Sequence, residues 1–301
     1  MWQNLLSAIQ QQNVKALART ISLIENEVEG YFSFLQQLPH VQTPVIGITG
    51  PPGAGKSTLT DALIEQLVAQ QKSVGVLCVD PSSPFHFGAL LGDRIRMSQW
   101  YNHPQVFIRS LATRGSLGGL HPKIIEITDV MRAAWFDYII VETVGVGQSE
   151  VEIAGLADTT VVVVVPEAGD EIQTMKAGLM EIANVFVVNK ADRPDADAFV
   201  YNLKQMLAPA FAHQQETIEI IKTIASEKKG IDELLLAIET HLQTFKTNPK
   251  KYYLLAEKAF HLIEQYRMKS VNKATLQQAI EEAYLLNEFN LYNFIQPYCE
   301  G

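Results

Sequence analysis

The sequence predicts an α/β fold in which a mostly parallel sheet is flanked by helices, with helical extensions at both ends of the chain. From Val45 onwards, short apolar runs rich in β-branched residues alternate with helical stretches, which is typical of strands joined by crossover helices. Several runs are continuously apolar, such as residues 138–141 and the five valines at 161–165. Such runs indicate strands that are buried on both faces, as in a parallel sheet.

Seven apolar runs are predicted to form this sheet within a central domain, residues 41–247. The predicted strands are Val45–Thr49, Val74–Val79, Val106–Arg109, Tyr138–Glu142, Thr160–Val165, Val185–Asn189 and Ile218–Ile221. The last helix of the alternating series begins at Gly230, and the domain is expected to end near Phe245, before the break at Asn248-Pro249.

Residues 1–40 are predicted to form an N-terminal helical extension. Their apolar residues recur at spacings of three and four, as on one face of a helix. This stripe consists of Ile21, Ile24, Val28, Phe32 and Leu35. Pro39 and Pro44 then bracket a short linker to the central domain.

Residues 248–301 are predicted to form a C-terminal extension with two helical stretches. The first stretch carries a heptad-like apolar stripe, composed of Tyr252, Leu255, Ala259, Leu262 and Tyr266. Two interpretations stay open: the stripe packs on its own domain, or it forms a dimer interface. A helical pair has little core of its own, which slightly favours the dimer.

The composition indicates a globular chain that is soluble and cytoplasmic. Hydrophobic residues make up 47% of the 301 residues, and the formal net charge is −9, which argues against nonspecific binding to nucleic acid or to anionic membranes. The longest apolar run is far shorter than the roughly 20 residues that span a bilayer, and no signal peptide is visible. Cys78 and Cys299 are too far apart in sequence to suggest a disulfide framework or a metal site.

A phosphate-binding loop is predicted between the first strand and the helix that follows it. Its residues are Gly50, Pro51, Pro52, Gly53, Ala54, Gly55, Lys56, Ser57 and Thr58. In such a P-loop, glycines let successive N–H groups face phosphate oxygens at a helix N-terminus. We expect Lys56 to reach the β- and γ-phosphates and Ser57 to bind Mg²⁺. The loop therefore predicts a P-loop NTPase, without indicating the base.

The base is predicted from Asn189-Lys190-Ala191-Asp192, which follows the sixth strand. The Asp192 carboxylate can accept hydrogen bonds from the N1–H and 2-amino groups of guanine, which adenine does not offer. A buried polar match of this kind gives strong discrimination. Asn189 is expected to tie this loop to the P-loop, and Lys190 to lie along the base. The sequence therefore predicts a protein that binds GTP rather than ATP.

Acidic residues at strand ends predict a metal site beside the phosphates. Asp80 ends the second strand and Glu142 ends the fourth, so both carboxylates lie along the ligand crevice of a parallel sheet. There they can hold Mg²⁺ directly or through water. Asp93 is a further candidate near the metal.

The run Glu142-Thr143-Val144-Gly145 has the Asp-x-x-Gly shape of a GTPase switch, with Glu in place of Asp. Gly145 is expected to offer its N–H to the γ-phosphate, so that loss of this phosphate releases the next loop. Gln148 can orient the attacking water or shape the loop. The candidate catalytic residues are therefore Lys56, Glu142, Gly145 and Gln148. Arg94 and Arg114 can neutralise phosphate charge or form salt bridges.

The motifs together resemble the MeaB/ArgK family of methylmalonyl-CoA mutase-associated GTPases. Besides the P-loop, the resemblance is carried by residues 79–83, 88–94, 114–119, 142–150 and 169–171. It covers most of residues 44–245, and the run Glu-Thr-Val-Gly-Val-Gly-Gln is highly specific.

This resemblance implies a homodimeric GTPase that hydrolyses GTP to GDP and phosphate, with helical extensions flanking the P-loop GTPase domain. It implies a chaperone of a cobalamin-dependent acyl-CoA mutase of the methylmalonyl-CoA mutase type. GTP would be coupled to cofactor loading, protection or reactivation of the mutase. The segment Pro166–Lys176 would correspond to an additional mobile switch, or else to an ordinary strand-to-helix loop.

One departure from the family pattern lies in the second guanine loop. Ile224-Ala225-Ser226 stands in place of the usual Ser-Ala-Leu type of sequence. The backbone N–H of Ala225 can still serve the guanine O6, because a backbone contact tolerates side-chain changes. The missing first serine removes a loop-stabilising hydroxyl, and we expect weaker base affinity.

Two other function classes remain as alternatives. A GTPase that delivers nickel or a similar ion is disfavoured, because the cysteines and histidines form no ligand cluster in the sequence. An ATP-using kinase that regulates amino-acid transport is opposed by the guanine-reading loop at Asp192.

Overall fold

The computed structural model describes residues 1–80, 97–113, 120–145, 149–166, 177–211, 218–244, 249–268, 271–285 and 289–299. These residues form a seven-stranded sheet with every pair of neighbouring strands parallel and the order β3-β2-β4-β1-β5-β6-β7. The strands are β1 (Val45–Thr49), β2 (Val74–Asp80), β3 (Val106–Ala112), β4 (Tyr138–Glu142), β5 (Thr159–Val164), β6 (Val185–Val188) and β7 (Glu219–Lys222).

The predicted parallel α/β sheet is thus confirmed, with small differences in strand length. β1 and β4 have their predicted bounds. β3 continues three residues beyond its predicted end, because residues 110–112 pair with residues 78–80 of β2. β6 ends at Val188, one residue early, so that Asn189 lies in the following loop.

Twelve α-helices lie in the described residues. They are α1 (Trp2–Gln10), α2 (Val14–Glu25), α3 (Tyr31–Leu35), α4 (Lys56–Ala69), α5 (Ile124–Arg132), α6 (Ser149–Leu156), α7 (Ala177–Ile182), α8 (Ala196–Phe211), α9 (Ile231–Thr244), α10 (Pro249–Arg267), α11 (Lys273–Leu285) and α12 (Leu291–Cys299).

Helices cover both faces of the sheet. On one face, α4 and α9 bury Leu63, Leu67, Leu234 and Ile238 against the strands in one hydrophobic core. On the other face, α5 and α6 pack so closely that a side chain added at Gly75 or Gly47 would overlap Met131 or Ile153, respectively. Burial on both faces explains the continuously apolar strands.

The N-terminal stripe expected from the sequence is wrong as a single helical face. Ile21 and Ile24 are buried in α2, but Val28 lies in the turn after that helix, and Phe32 of α3 is 50% exposed. Gly30 adopts φ +86° at the start of α3 and turns the chain, so the helical spacing does not continue across it. α2 and α3 instead pack against α5.

The chain divides into two compact units, Met1–Lys251 and Tyr252–Gly301. The residues of the predicted N-terminal extension lie in the first unit, and the division falls inside α10. The second unit contains the rest of α10 together with α11 and α12, so the expectation of two C-terminal helical stretches is corrected to three. No helix within the described ranges is both long enough and apolar enough to cross a membrane.

Candidate nucleotide-binding site

The P-loop lies at the centre of the sheet, where β1 is flanked by β4 and β5. β1 ends at Thr49 and α4 begins at Lys56, and Gly50, Gly53 and Gly55 between them all adopt positive φ values. A Cβ atom on Gly50 would overlap the carbonyl of Val163, so this position requires glycine. The turn therefore brings the backbone of the loop against the sheet and directs it into the N-terminus of α4.

Lys56 and Ser57 occupy the first turn of α4 and are both 7% exposed. The Lys56 ammonium donates hydrogen bonds to the carbonyls of Gly50 (2.9 Å) and Pro51 (3.1 Å). The positively charged ammonium group of Lys56 is thus held over the loop in which the phosphates are predicted to bind.

Gly145 lies against the same loop with φ +83°. A Cβ atom at this position would lie 2.5 Å from the Gly50 carbonyl oxygen and still closer to the Lys56 ammonium nitrogen. The glycine of the predicted switch therefore contacts the P-loop directly, and no larger residue fits there without displacement.

The Glu142 carboxylate is 4% exposed and is held by two hydroxyl groups of α4. Ser57 Oγ donates to Oε1 at 2.6 Å, and Thr60 Oγ1 donates to Oε2 at 2.8 Å. Sequence reasoning did not single out Thr60. Its position three residues after Ser57, on the same helix face, was the available signal.

Asp80 ends β2 beside this carboxylate and is 6% exposed. β2 and β4 are neighbours, with Cys78 paired in register to Glu142. The two predicted metal-binding acids are therefore buried at the carboxyl ends of adjacent strands, close to the N-terminus of α4.

These donors fit Mg²⁺ by their chemistry. Carboxylate and hydroxyl oxygens are the ligands that this hard cation prefers. Ser57 Oγ retains lone pairs while it donates its proton to Glu142, so the hydrogen bond is compatible with a role as a ligand. Among the described residues, no three His, Cys, Asp or Glu side chains are grouped as a separate metal site.

Asn189 joins the three loops at the predicted base side. Its Nδ2 donates to the Ala54 carbonyl at 2.9 Å, and its Oδ1 accepts from Thr223 Oγ1 and from the Ala225 N–H, both at 3.1 Å. The ammonium group of Lys190 donates to the Gly53 carbonyl at 2.8 Å. The P-loop, the loop after β6 and the loop after β7 are thus fixed to one another.

Asp192 is exposed beside this junction, as are Ser226 and Lys229. A hydrogen bond with Glu227 raises the pKa of Lys229, and the nearby Asp192 carboxylate contributes to the same shift. Ala225 is buried, and its N–H is engaged by Asn189 in this structure. A contact with guanine O6 would have to share or replace that bond.

The remaining predicted site residues differ in exposure, and some of them lie outside the described ranges. Ala54 is buried, Pro51 and Ile224 are half-buried, and Pro52 and Thr58 are exposed. Four predicted functional residues, together with residues 167–176 of the proposed additional switch, lie outside the described residues. These four are Asp93, Arg94, Arg114 and Gln148.

Comparison with known protein families shows which family this chain belongs to. The family model described as methylmalonyl-CoA mutase-associated GTPase MeaB matches residues 17–280. The chain belongs to the MeaB family. The match covers the P-loop, both predicted guanine loops and the Glu142 switch, so this MeaB-family chain is a P-loop GTPase that hydrolyses GTP.

Individual relatives agree with the family assignment. A putative GTPase of Pyrococcus abyssi is 42% identical over 294 residues, which cover 96% of this chain and 89% of the relative. A protein of Geobacillus kaustophilus named fused isobutyryl-CoA mutase is 36% identical over 243 residues, or 75% of this chain and 22% of that protein.

A solved structure supports the fold of the MeaB-family chain. The crystal structure of a LAO/AO transport system kinase aligns with a TM-score of 0.67 and 23% identity, covering 99% of this chain and 96% of the other. At this level of identity, the likeness shows the α/β fold with its flanking helices and gives no information about the substrate.

Proposed function

We propose that this GTPase is a chaperone of a cobalamin-dependent acyl-CoA mutase, and that GTP binding and hydrolysis control cofactor loading, protection or reactivation of the mutase. The observation that carries the proposal is the family match to mutase-associated GTPases. It is supported by the relative named fused isobutyryl-CoA mutase, in which a segment similar to this chain belongs to a longer polypeptide.

The phosphate groups of GTP would bind to the P-loop, residues 50–58, at the N-terminus of α4. Lys56 would exchange its two carbonyl contacts for the β- and γ-phosphate oxygens, because charge-assisted bonds to phosphate are stronger than bonds to neutral carbonyls. Asn189, Lys190 and Asp192 would form the guanine site together with residues 224–226. In this role, Asp192 supplies the acceptor oxygens that select guanine over adenine.

Ser57, Glu142 and Asp80 would hold Mg²⁺, with Asp93 as a further predicted contributor. When bound, the ion neutralises charge on the β- and γ-phosphates. Ser57 and Glu142 are already joined by a 2.6 Å hydrogen bond, so this part of the site would need little reorganisation. Gln148 would orient the attacking water.

Gly145 would connect the phosphate site to the mutase. It lies three residues after β4 and against the Gly50 carbonyl and the Lys56 ammonium group. A γ-phosphate bound near Lys56 would therefore come close to the Gly145 N–H. Loss of that phosphate would release the segment after Gly145, in the manner of a GTPase switch. Residues 166–176 would form a second segment that responds to the mutase.

A homodimer is the proposed assembly, with the C-terminal extension as its interface. Large apolar side chains on α10 are exposed in the chain described here, among them Tyr252, Leu255 and Tyr266. Three of the five stripe residues predicted from the sequence are thus exposed to the extent of 44% or more.

The test is to mix the purified protein with a cobalamin-dependent acyl-CoA mutase, using methylmalonyl-CoA and isobutyryl-CoA mutases in turn. We expect GTP turnover to rise above its basal rate, and a complex to elute on size-exclusion chromatography. ATP in place of GTP, and a CoA-dependent enzyme without cobalamin, are the matched controls. Unchanged turnover together with no complex with either mutase would contradict the proposal.

A further inference from the structure

Thr60 is a buried hydroxyl that the GTPase motifs do not include. It lies three residues after Ser57 on α4 and is fully buried. Its Oγ1 is 2.8 Å from Glu142 Oε2 and 3.0 Å from the Lys56 carbonyl oxygen. The same hydroxyl therefore contacts both the switch carboxylate and the backbone of the phosphate-binding lysine.

The two hydroxyls of α4 hold different oxygens of one carboxylate. Ser57 binds Oε1 of Glu142 and Thr60 binds Oε2. The last torsion of a glutamate side chain has a broad energy well, so each hydrogen bond to the carboxylate narrows the range over which its plane rotates. The second hydrogen bond restricts this rotation and fixes the carboxylate relative to Ser57.

Thr128 of α5 allows a purely structural role of a buried threonine to be distinguished from a role at Glu142. Buried threonines in helices often bond the carbonyl four residues earlier, as Thr128 of α5 does with the Ile124 carbonyl at 2.7 Å. Thr128 is also fully buried, and its hydroxyl donates to this backbone carbonyl. Thr60 shares its one hydroxyl proton between the corresponding carbonyl of Lys56 (3.0 Å) and the closer Glu142 Oε2 (2.8 Å). Thr128 is therefore the matched control for the backbone contact alone.

We propose that Thr60 is a positioning residue for Mg²⁺ binding. By fixing the Glu142 carboxylate, it would keep the Ser57 O–H donating to Oε1 and leave the lone pairs of Ser57 Oγ available to the ion. This inference rests on the proposed Mg²⁺ site at Ser57, Glu142 and Asp80. Groups that orient metal ligands typically contribute 10- to 100-fold to affinity.

The experiment compares the full-length wild type with Thr60→Val, Thr60→Ser and Thr128→Val. Binding of a fluorescent GDP analogue is titrated with Mg²⁺, and its affinity is measured separately in EDTA. We expect Thr60→Val to raise the half-saturating Mg²⁺ concentration by about tenfold or more, with little change in EDTA. Thr60→Ser, which keeps the hydroxyl, should stay close to wild type, as should Thr128→Val.

Two results would overturn the inference while leaving the proposed metal site intact. One is a half-saturating Mg²⁺ concentration for Thr60→Val that equals that of the wild type. The other is an equal loss of nucleotide affinity with and without Mg²⁺, which indicates general damage to α4. If the wild type itself shows no Mg²⁺ dependence, the proposed metal site fails first and the inference fails with it.

Folding of the valine variant is checked by thermal melting. If Thr60→Val does not fold, Thr60→Ala is compared with Thr60→Ser, since these two side chains differ by the single hydroxyl oxygen. The alanine variant should then show the weaker Mg²⁺ dependence. Equal Mg²⁺ titrations for the alanine and serine variants would overturn the inference.

Discussion

At the scale of single residues, Asn189 shows how one side chain can connect distant parts of the sequence. Its amide donates to the P-loop through Nδ2 and accepts from the loop after β7 through Oδ1. Asn189 is 3% exposed, and a buried polar group that loses its partners is costly. This amide therefore helps to fix the separation between the predicted phosphate and guanine loops.

Gly145→Ala is expected to lower GTP turnover by tenfold or more, since misplacing a catalytic segment by about 1 Å can cost about 100-fold. The added Cβ atom would overlap the Gly50 carbonyl and the Lys56 ammonium group, and the φ of +83° is unfavourable for alanine. Single-turnover GTP hydrolysis measures the effect.

Gly53→Ala is the matched control for folding stability. Gly53 also has a positive φ of +77°, but a Cβ atom added there has open space around it. Urea unfolding should show a loss of about 1 kcal/mol for Gly53→Ala from the left-handed backbone alone and a larger loss for Gly145→Ala. Equal losses would show that the contact with the P-loop has no energetic consequence.

At the scale of secondary-structure elements, α4 organises most of the site. Its first two turns supply Lys56, Ser57 and Thr60, and Asp61 accepts hydrogen bonds from the side chains of Trp100 (2.7 Å) and Gln99 (3.1 Å). The helix therefore contacts the phosphate loop, the switch carboxylate and the segment before β3. A displacement of α4 would change all three together.

The sequence predicted the elements whose signals are local. Short runs rich in apolar residues correctly predicted both ends of β1 and of β4. The spacing of Gly50, Gly55 and Lys56 predicted the loop between β1 and α4. The role of Thr60 toward Glu142 could not be read in the same way, because the contact joins residues 82 positions apart. The turn at Gly30 was missed because spacing alone does not show where a helix ends.

His241 of α9 provides a pH test of how this helix packs on the sheet. Its Nδ1 is 2.8 Å from the hydroxyl of Thr159 at the start of β5, and burial lowers the pKa of the imidazole. The unfolded chain therefore binds a proton below about pH 6.5 that the folded chain resists. Stability is retained above this pH and is lost as the pH falls through the lower folded-state pKa.

We expect His241→Gln to reduce the loss of thermal stability between pH 7.5 and pH 5.5, since glutamine does not titrate there. Melting temperatures of the variant and the wild type at several pH values measure the difference. A His241→Gln profile parallel to that of the wild type would show that His241 makes no contribution.

At the scale of the whole molecule, Asp158 joins segments that are far apart in the sequence. Its Oδ2 accepts from the Val45 N–H (2.9 Å) and the Arg132 guanidinium (3.2 Å), and its Oδ1 accepts from the Lys251 ammonium (2.9 Å). The carboxylate thus connects the start of β1, the end of α5 and the first turn of α10. It lies just before β5, at the end of the sheet opposite the P-loop.

Asp158→Ala is expected to lower the free energy of unfolding by about 2–3 kcal/mol, because it removes bonds to a backbone N–H and to two cations. Urea unfolding measures the loss, with basal GTP turnover as a check that the distant site is intact. Asp197→Asn removes an exposed ion pair with Lys222 and should leave the unfolding midpoint unchanged. Similar midpoints for both variants would contradict a structural role of Asp158.

The position of β7 at one edge of the described sheet has a consequence for association between chains. The last strand of the described sheet exposes Glu219 and Lys222 at its two ends, and a free strand edge presents unpaired N–H and C=O groups to other molecules. Charged residues there oppose the edge-to-edge addition of another strand. Within the described residues, the all-parallel sheet thus ends in a strand whose charged ends disfavour growth of the sheet by strand addition.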